Sequence, residues 1–282
     1  MRQEAYFCTV KELDELGKNN IPRQLISHTH LIYSSPATLA FNSPGAEGFG
    51  VKRAGLAVPD SVMLIVSPGC CGRNTSVLSS MRAYQDRFYY LLMDETDIVT
   101  GRHLKKIPKA VAEICEGLKK KPSVVMICIT CVDALLGTDM ERVCHKAEEY
   151  AGVPVRPCYM YARTREGRKP PMVHVRQSVY SLLEPKKKKG NVVNLLGYFS
   201  PLTDDCELYD LLHSAGIKTI HEISRCRDFE EYKTMSEANF NLVLHQESRF
   251  AAEDFNDRLK IPFIELRRLY QTDKIQNQYQ AL

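Results

Sequence analysis

The sequence predicts an α/β fold with two doubly wound parallel sheets, and three observations carry that expectation. Segments of strand length, at 62–66, 123–129 and 153–159 and again at 192–197, 218–223, 240–245 and 262–266, alternate with segments of helical periodicity. A stretch rich in Arg, Lys and Pro at 160–177 and a lysine run at 186–189 separate the two series. The length of 282 residues lets each half bury a core of its own. The expected division is 1–185 and 186–282.

Residues 1–57 carry no long periodic element, and Pro22, Pro36, Pro44, Gly45, Gly48 and Gly50 mark loops and short helices. The segment 41–55, F-N-S-P-G-A-E-G-F-G-V-K-R-A-G, either wraps across a sheet edge, its glycines allowing close backbone approach, or forms a surface loop. The run 62–66 is a buried strand, followed by the turn P-G-C-C-G. Residues 75–93 predict a helix capped by Asn74 or Thr75, then a polar connection over 94–103. A helix over 108–120 buries Val111, Ile114, Cys115 and Leu118 and ends at Pro122. After the strand 123–129, Cys131 opens a turn and 133–150 a helix containing Cys144. A helix over 173–184 leads into the lysine run, which reads as a solvated linker. Helices at 204–214, 229–238, 249–259 and from 272 complete the second half.

Composition excludes several classes. Lys and Arg exceed Asp and Glu by 38 to 34, and the four lysines at 186–189 account for the surplus, so no nucleic-acid partner is expected. The N-terminus M-R-Q-E-A-Y-F-C has no apolar signal segment, and no run reaches the roughly 20 apolar residues of a spanning helix. A cytoplasmic protein with no membrane partner follows. In that compartment ten cysteines read as metal ligands or redox groups in preference to disulfides. Neither G-x-G-x-x-G nor a Walker A loop occurs.

The cysteines concentrate the chemistry. Cys70 and Cys71 follow one buried strand and Cys131 follows another. If the strands are parallel, all three stand at carboxyl ends on one sheet edge, where open α/β folds bind ligands. Adjacent cysteines after Pro-Gly in a turn are unusual for core packing, which favours thiolate ligands over buried thiols. Two thiolates from each subunit of a two-fold dimer would supply four ligands to one bridging [4Fe–4S] cluster. Cys128, inside its strand, reads as core, as do Cys115 and Cys144, while Cys158 stays unassigned. A thiol–disulfide role for Cys128 and Cys131 is disfavoured, because Cys128 does not precede a helix.

At these residues the chain resembles the nitrogenase component 1 superfamily. The matching blocks are V-M-L-I-V-S-P-G-C at 62–70, D-E-T-D-I-V-T-G at 94–101 and C-V-D-A-L-L-G-T-D at 131–139. The upstream G-A-E-G-F-G-V-K-R-A-G and, in the second half, N-L-L-G, G-I-K-T-I, A-N-F-N-L-V and K-I-P-F also fit in order. The resemblance implies stacked Rossmann-like domains, an iron–sulfur cluster at a subunit interface, and electrons from a separate ATP-hydrolysing iron protein. It makes Cys70 and Cys131 cluster ligands, with Cys71 an extra candidate. The family's first cluster cysteine has no counterpart at 41–44, which points to a [4Fe–4S] cluster instead of an eight-iron one. Where nitrogenase itself ends a strand in a cofactor-ligating cysteine, this chain has His245, able to ligate metal or donate a proton. The resemblance also implies a third Rossmann-like domain that these residues do not supply, so the expectation is either a shortened chain or a compact relative that builds its cavity with a partner.

The expectation is therefore the catalytic component of an ATP-coupled, nitrogenase-like reductase, with His245 bordering the substrate cavity. It would form a homodimer or a heterodimer with a related subunit and bind the iron protein transiently. The alternative is a non-catalytic scaffold or partner subunit for metallocluster assembly.

Overall fold

A computed structural model describes residues 12, 15–17, 19–20, 44–69, 79–160, 169–267 and 269–282, with the backbone alone at 44–49 and 131. The first sheet comprises β1 (Val62–Ser67), β2 (Phe88–Leu92), β3 (Val125–Ile129) and β4 (Val155–Tyr159), in the order β2-β1-β3-β4. The second comprises β5 (Val192–Leu196), β6 (Thr219–His221), β7 (Phe240–Val243) and β8 (Phe263–Glu265), in the order β6-β5-β7-β8. Every pairing is parallel. The expected α/β class is therefore observed, and the same four-strand topology occurs twice.

The apolar runs are explained by where their strands sit. Every residue of β1, β3 and β5 is buried, since each is an inner strand covered on both faces. Alternation divides the first sheet cleanly: Met63, Ile65, Met126 and Cys128 face one core, and Val62, Leu64, Val66, Val125, Ile127 and Ile129 face another. The second face is covered by α3 (His103–Gly117) and α5 (Met140–Ala151), through Ile107, Val111, Ile114, Cys115, Met140, Cys144 and Ala147. The first is covered by α1 (Pro44–Gly55) and α6 (Pro171–Tyr180).

That first core does not stop at one sheet. It continues into Leu196, Val243, Ala251, Ala252, Phe255 and Leu259 of the second half. Helix α6 is the bridge: Tyr180 stands edge-on to Phe255 of α9 (Arg249–Leu259), centroids 5.2 Å apart and planes at 64°. The Arg258 guanidinium of α9 donates to the Tyr180 carbonyl at 3.1 Å and to that of Leu183, closing the end of α6. Further helices among the described residues are α2 (Glu95–Thr100), α4 (Cys131–Leu135), α7 (Glu207–Ser214), α8 (Phe229–Lys233) and α10 (Thr272–Gln280). No helix among the described residues is long and apolar enough to cross a membrane.

Several local expectations are corrected. The helix expected over 75–93 is a strand at its C-terminal end, because F-Y-Y-L-L is aromatic and pairs β1 as an edge strand, burying Phe88 and exposing Tyr90 and Leu92. The proposed caps Asn74 and Thr75 lie outside the described residues. The polar connection over 94–103 contains α2, and α3 begins at His103, five residues before the expected start at Pro108. The helix expected over 133–150 is two helices, because Asp139 caps a new one by accepting from the Arg142 amide. The segment 44–55 is a helix burying Val51, Lys52 and Ala54, neither an edge wrap nor a surface loop. The lysine run is less solvated than a linker: Lys188 donates to the Ser236 carbonyl at 2.7 Å, and Lys186 and Lys189 reach Glu237.

The shared core yields an expectation for stability. Phe255→Ala removes a fully buried ring from between the two sheets and should cost about 3–5 kcal/mol. Chemical denaturation followed by two probes, one in each half, should show both transitions shifting together.

Candidate functional site

The carboxyl ends of β1 and β3 lie side by side, with Val66 paired to Ile129. Because β2 lies on one side of β1 and β3 and β4 on the other, connections leave this point in opposite directions, opening a crevice at the strand ends. Cys131, two residues beyond β3, is the first residue of α4. Cys70 and Cys71 follow β1 by three and four residues and lie outside the described residues. The backbone thus brings the Cys131 turn next to the strand that leads into Cys70.

Behind this edge, two sequence blocks are joined by buried polar contacts. Asp94 caps α2 by accepting from the Asp97 amide at 2.7 Å, and the Asp97 side chain accepts in return from the Asp94 amide at 3.4 Å. The Asp97 carboxylate, 1% exposed, also accepts from Lys106 Nζ and Arg102 Nε, each at 2.8 Å. These two cations hold its carboxyl well below the usual carboxylate range. The Asp97 carbonyl lies 3.0 Å from His103 Nδ1, and His103 Nε2 lies 2.8 Å from Asp133 Oδ1. His103 and Asp133 are both fully buried, and Thr138 also donates to Asp133 Oδ1 at 3.2 Å. Asp133 sits two residues after Cys131, so the imidazole ties the turn carrying the cysteine to the α2–α3 corner.

Among the described residues, three buried polar atoms at the same edge have no hydrogen-bond partner: Ser67 Oγ, Thr130 Oγ1 and Asp133 Oδ2. Ser67 ends β1 and Thr130 follows β3, so the hydroxyls stand one step beyond the last register pair. Buried polar atoms are rarely left unpaired, and this edge therefore retains unused hydrogen-bonding capacity.

The second sheet repeats the arrangement. His245 follows β7 by two residues, as Cys131 follows β3, and caps the single 3-10 turn Gln246–Ser248. Its Nδ1 accepts from the Glu247 amide at 3.3 Å, and its ring stands edge-on to Tyr198 at 5.8 Å. The side chain is 39% exposed and borders a cleft of about 610 Å³ with Tyr198, Gln246, Arg249, Glu265 and Arg267. Gly197 packs tightly beneath it: a Cβ there would stand 3.0 Å from both the His245 amide and the Leu244 Cβ, closer than most side-chain contacts. Arg176 of α6 docks on the same corner. It donates to Ser248 Oγ at 3.0 Å and the Gly197 carbonyl at 2.9 Å, pairs with Glu247 at 3.0 Å, and lies over the Phe199 ring.

His245 therefore belongs to the edge of the second sheet, whereas Cys131 and the strand leading to Cys70 share the first. Among the described residues no group of three or more His, Cys, Asp or Glu side chains converges as a metal site. Cys115, Cys128, Cys144 and Cys158 are buried free thiols, as expected for the first three. Burial pushes the Cys115 and Cys144 thiols up, away from the thiolate form that binds metal. A smaller cleft of about 380 Å³ beside the Cys131 turn is bordered by Ile129, Thr138, Tyr159 and His174, and burial pushes the His174 imidazole down to about 4. Sequence reasoning missed His103 and Arg176. Both are ordinary polar residues whose partners lie 30 and 72 positions away, and the one available signal was the acidic residues inside the D-E-T-D and C-V-D blocks.

Comparison with known proteins agrees with this architecture. A family model described as nitrogenase component 1 type oxidoreductase matches residues 47–282. The nitrogenase iron-molybdenum cofactor biosynthesis protein NifE of Nostoc sp. is 27% identical over 217 residues, covering 74% of this chain and 44% of that protein. The protein of the same name from Klebsiella pneumoniae is 27% identical over 222 residues, covering 71% and 48%. The chain spans about half the length of the curated relatives it matches. A solved structure titled nitrogenase Cp1 at pH 6.5 superposes with a TM-score of 0.62 at 19% identity, covering 82% of this chain and 56% of that one, a likeness of fold.

The Asp97 cluster yields a pH dependence of known sign. Its carboxyl is depressed in the folded state, so its contribution is complete above about pH 4, where the unfolded carboxyl is ionised, and fades as pH falls towards the lower folded value. The stability gap between wild type and Asp97→Asn, from denaturant midpoints, should be largest near neutrality and close under acid. A gap that does not vary with pH would show that its charge is not what Asp97 contributes.

Proposed function

Because this chain belongs to the nitrogenase component 1 type oxidoreductase family, we propose that it is a metallocluster assembly component, holding an iron–sulfur cluster between itself and a second subunit. The observation that carries this reading is the side-by-side placement of the β1 and β3 ends, which lead into Cys70 and Cys131. In this reading 1–185 form the cluster-binding unit and 186–282 the cargo-handling unit. Cys70 and Cys131 from each of two subunits supply four thiolates to a [4Fe–4S] cluster, with Cys71 available as a further ligand. The unpartnered Ser67 and Thr130 hydroxyls support the fit, since cluster sulfurs accept hydrogen bonds and are tuned by them. The partner seats on the apolar side chains around this edge, Leu92, Val99, Leu135 and Leu136, which are 51–85% exposed.

The assembly role is favoured over substrate reduction by the printed names of the relatives, which are cofactor biosynthesis proteins. A cluster so placed supplies electron-transfer capacity, while the chain's own residues orient it and receive cargo. His245 borders the cargo cleft, and because its Nδ1 accepts from the Glu247 amide, the neutral ring keeps its proton on Nε2. The reductase reading, with His245 catalytic and electrons arriving from an ATP-hydrolysing iron protein, shares the family and stands second.

Anaerobic purification with iron and sulfide analysis and electron paramagnetic resonance tests the cluster. Cys131→Ala should lose it and Cys115→Ala retain it, and equal iron in both variants would count against these ligands. Incubation with an apo-acceptor or with reduced iron protein, ATP and candidate substrates separates the roles. Passage of metal to the acceptor without turnover is the outcome expected, and ATP-dependent turnover would overturn it.

A further inference from the structure

The helix that begins with Cys131 has little of its own to hold it. α4 runs for five residues, and its N-cap, Thr130, makes no side-chain capping bond. Leu135 and Leu136 at its far end are 73% and 51% exposed. Among its described side chains Asp133 is the most deeply buried, so a carboxylate anchors this turn where an apolar residue would ordinarily do so. One oxygen of that carboxylate meets both of its partners, since Oδ1 lies 2.8 Å from His103 Nε2 and 3.2 Å from Thr138 Oγ1. Thr138 follows in the same loop and moves with it, whereas His103 belongs to α3, 30 residues away. The other ring nitrogen, Nδ1, faces the Asp97 carbonyl, and that contact stays within the α2–α3 corner.

We propose that His103 is a positioning residue for the Cys131 ligand, and that its Nε2 arm alone has this role while its Nδ1 arm serves the α2–α3 corner. The inference rests on the cluster reading given above. A carbonyl only accepts, so Nδ1 carries a proton, and whichever of Nε2 and Oδ1 carries the other, they form one buried hydrogen bond. Losing that bond leaves the buried Asp133 carboxylate without a donor from outside its own loop, a costly state that is relieved when α4 swings out to water. The Cys131 backbone is the first residue of that helix and moves with it. A cluster shared between subunits needs its thiolates at fixed separations, and the hydrogen bonds behind a ligand orient it. Leverage over Cys131 therefore lies in a side chain that need not touch the cluster.

An amide in place of the imidazole separates the two arms, because a glutamine nitrogen reaches the position of Nε2 and an asparagine nitrogen that of Nδ1. The full chain is purified anaerobically as wild type, His103→Gln and His103→Asn, and folding is checked by circular dichroism. In the metal-free form the rate of Cys131 alkylation by iodoacetamide is followed by peptide mass spectrometry. His103→Gln should keep the wild-type rate, and His103→Asn should raise it about tenfold, the scale expected when a hydrogen bond to a charged group is lost. In the iron-loaded form His103→Gln should keep the wild-type iron content and electron paramagnetic resonance g values, and His103→Asn should lose iron or shift the g values. Equal alkylation rates in the two variants, or a loaded His103→Asn chain identical to wild type, would overturn the inference. If either variant misfolds, the same alkylation rate is compared in Asp133→Asn, which keeps an acceptor for Nε2, and Asp133→Leu, which does not, and equal rates overturn it. Absence of iron from every form, with the alkylation rates still divided, would remove the cluster reading and leave the positioning standing.

Discussion

The buried contact between His103 and Asp133 fixes the geometry at the carboxyl edge of the first sheet. An imidazole nitrogen 2.8 Å from a carboxylate oxygen, both excluded from water, is costly to form and costly to break. It pins the turn after β3 to the corner where α2 gives way to α3. The other end of the same imidazole meets the Asp97 carbonyl, and Asp97 in turn is held by Lys106 and Arg102. Three helices, α2, α3 and α4, are thereby referenced to one another, and Cys131 is the first residue of the third. A cysteine in a short turn has little to position it locally, and here the positioning comes from behind.

The repeated β2-β1-β3-β4 order places a second edge in the second sheet, and the chain dresses it differently. His245 takes the place relative to its strand that Cys131 takes in the first sheet, and Gly197 opens the backbone beneath it. Arg176 then couples the halves, since it rises from a helix of the first core and ends among Gly197, Glu247 and Ser248 of the second. Its guanidinium is nearly inaccessible and its partners are almost all polar, which makes the junction directional as well as apolar. The Tyr180–Phe255 contact supplies the apolar part.

Much of this was legible in the residues. The fully apolar run at 62–66 and the nearly apolar one at 192–197, broken only by Asn194, announce inner strands, because a strand covered on both faces has little use for polar side chains. Their alternation with helices made parallel sheets the expected arrangement, and the turns after β1 and β3 follow from strand length. The 75–93 segment misled because its end, F-Y-Y-L-L, becomes a strand only by pairing with β1, a partner more than twenty residues earlier. The same holds for the start of α3, where His103 is held helical upstream of Pro108 by contacts from elsewhere in the fold.

Fold class, the strand-end placement of the cysteines, and the burial of Cys115, Cys128 and Cys144 rest on period and composition, which every short window of the chain carries. The Asp97–His103–Asp133 link and the Arg176 junction join residues 30 to 72 positions apart. Such pairs exist only after sheet register and helix docking have been settled, because hydrogen bonds act over a few ångströms and local sequence says nothing about which distant side chain will arrive there. The chain's pattern names the elements, and their packing selects which polar groups meet.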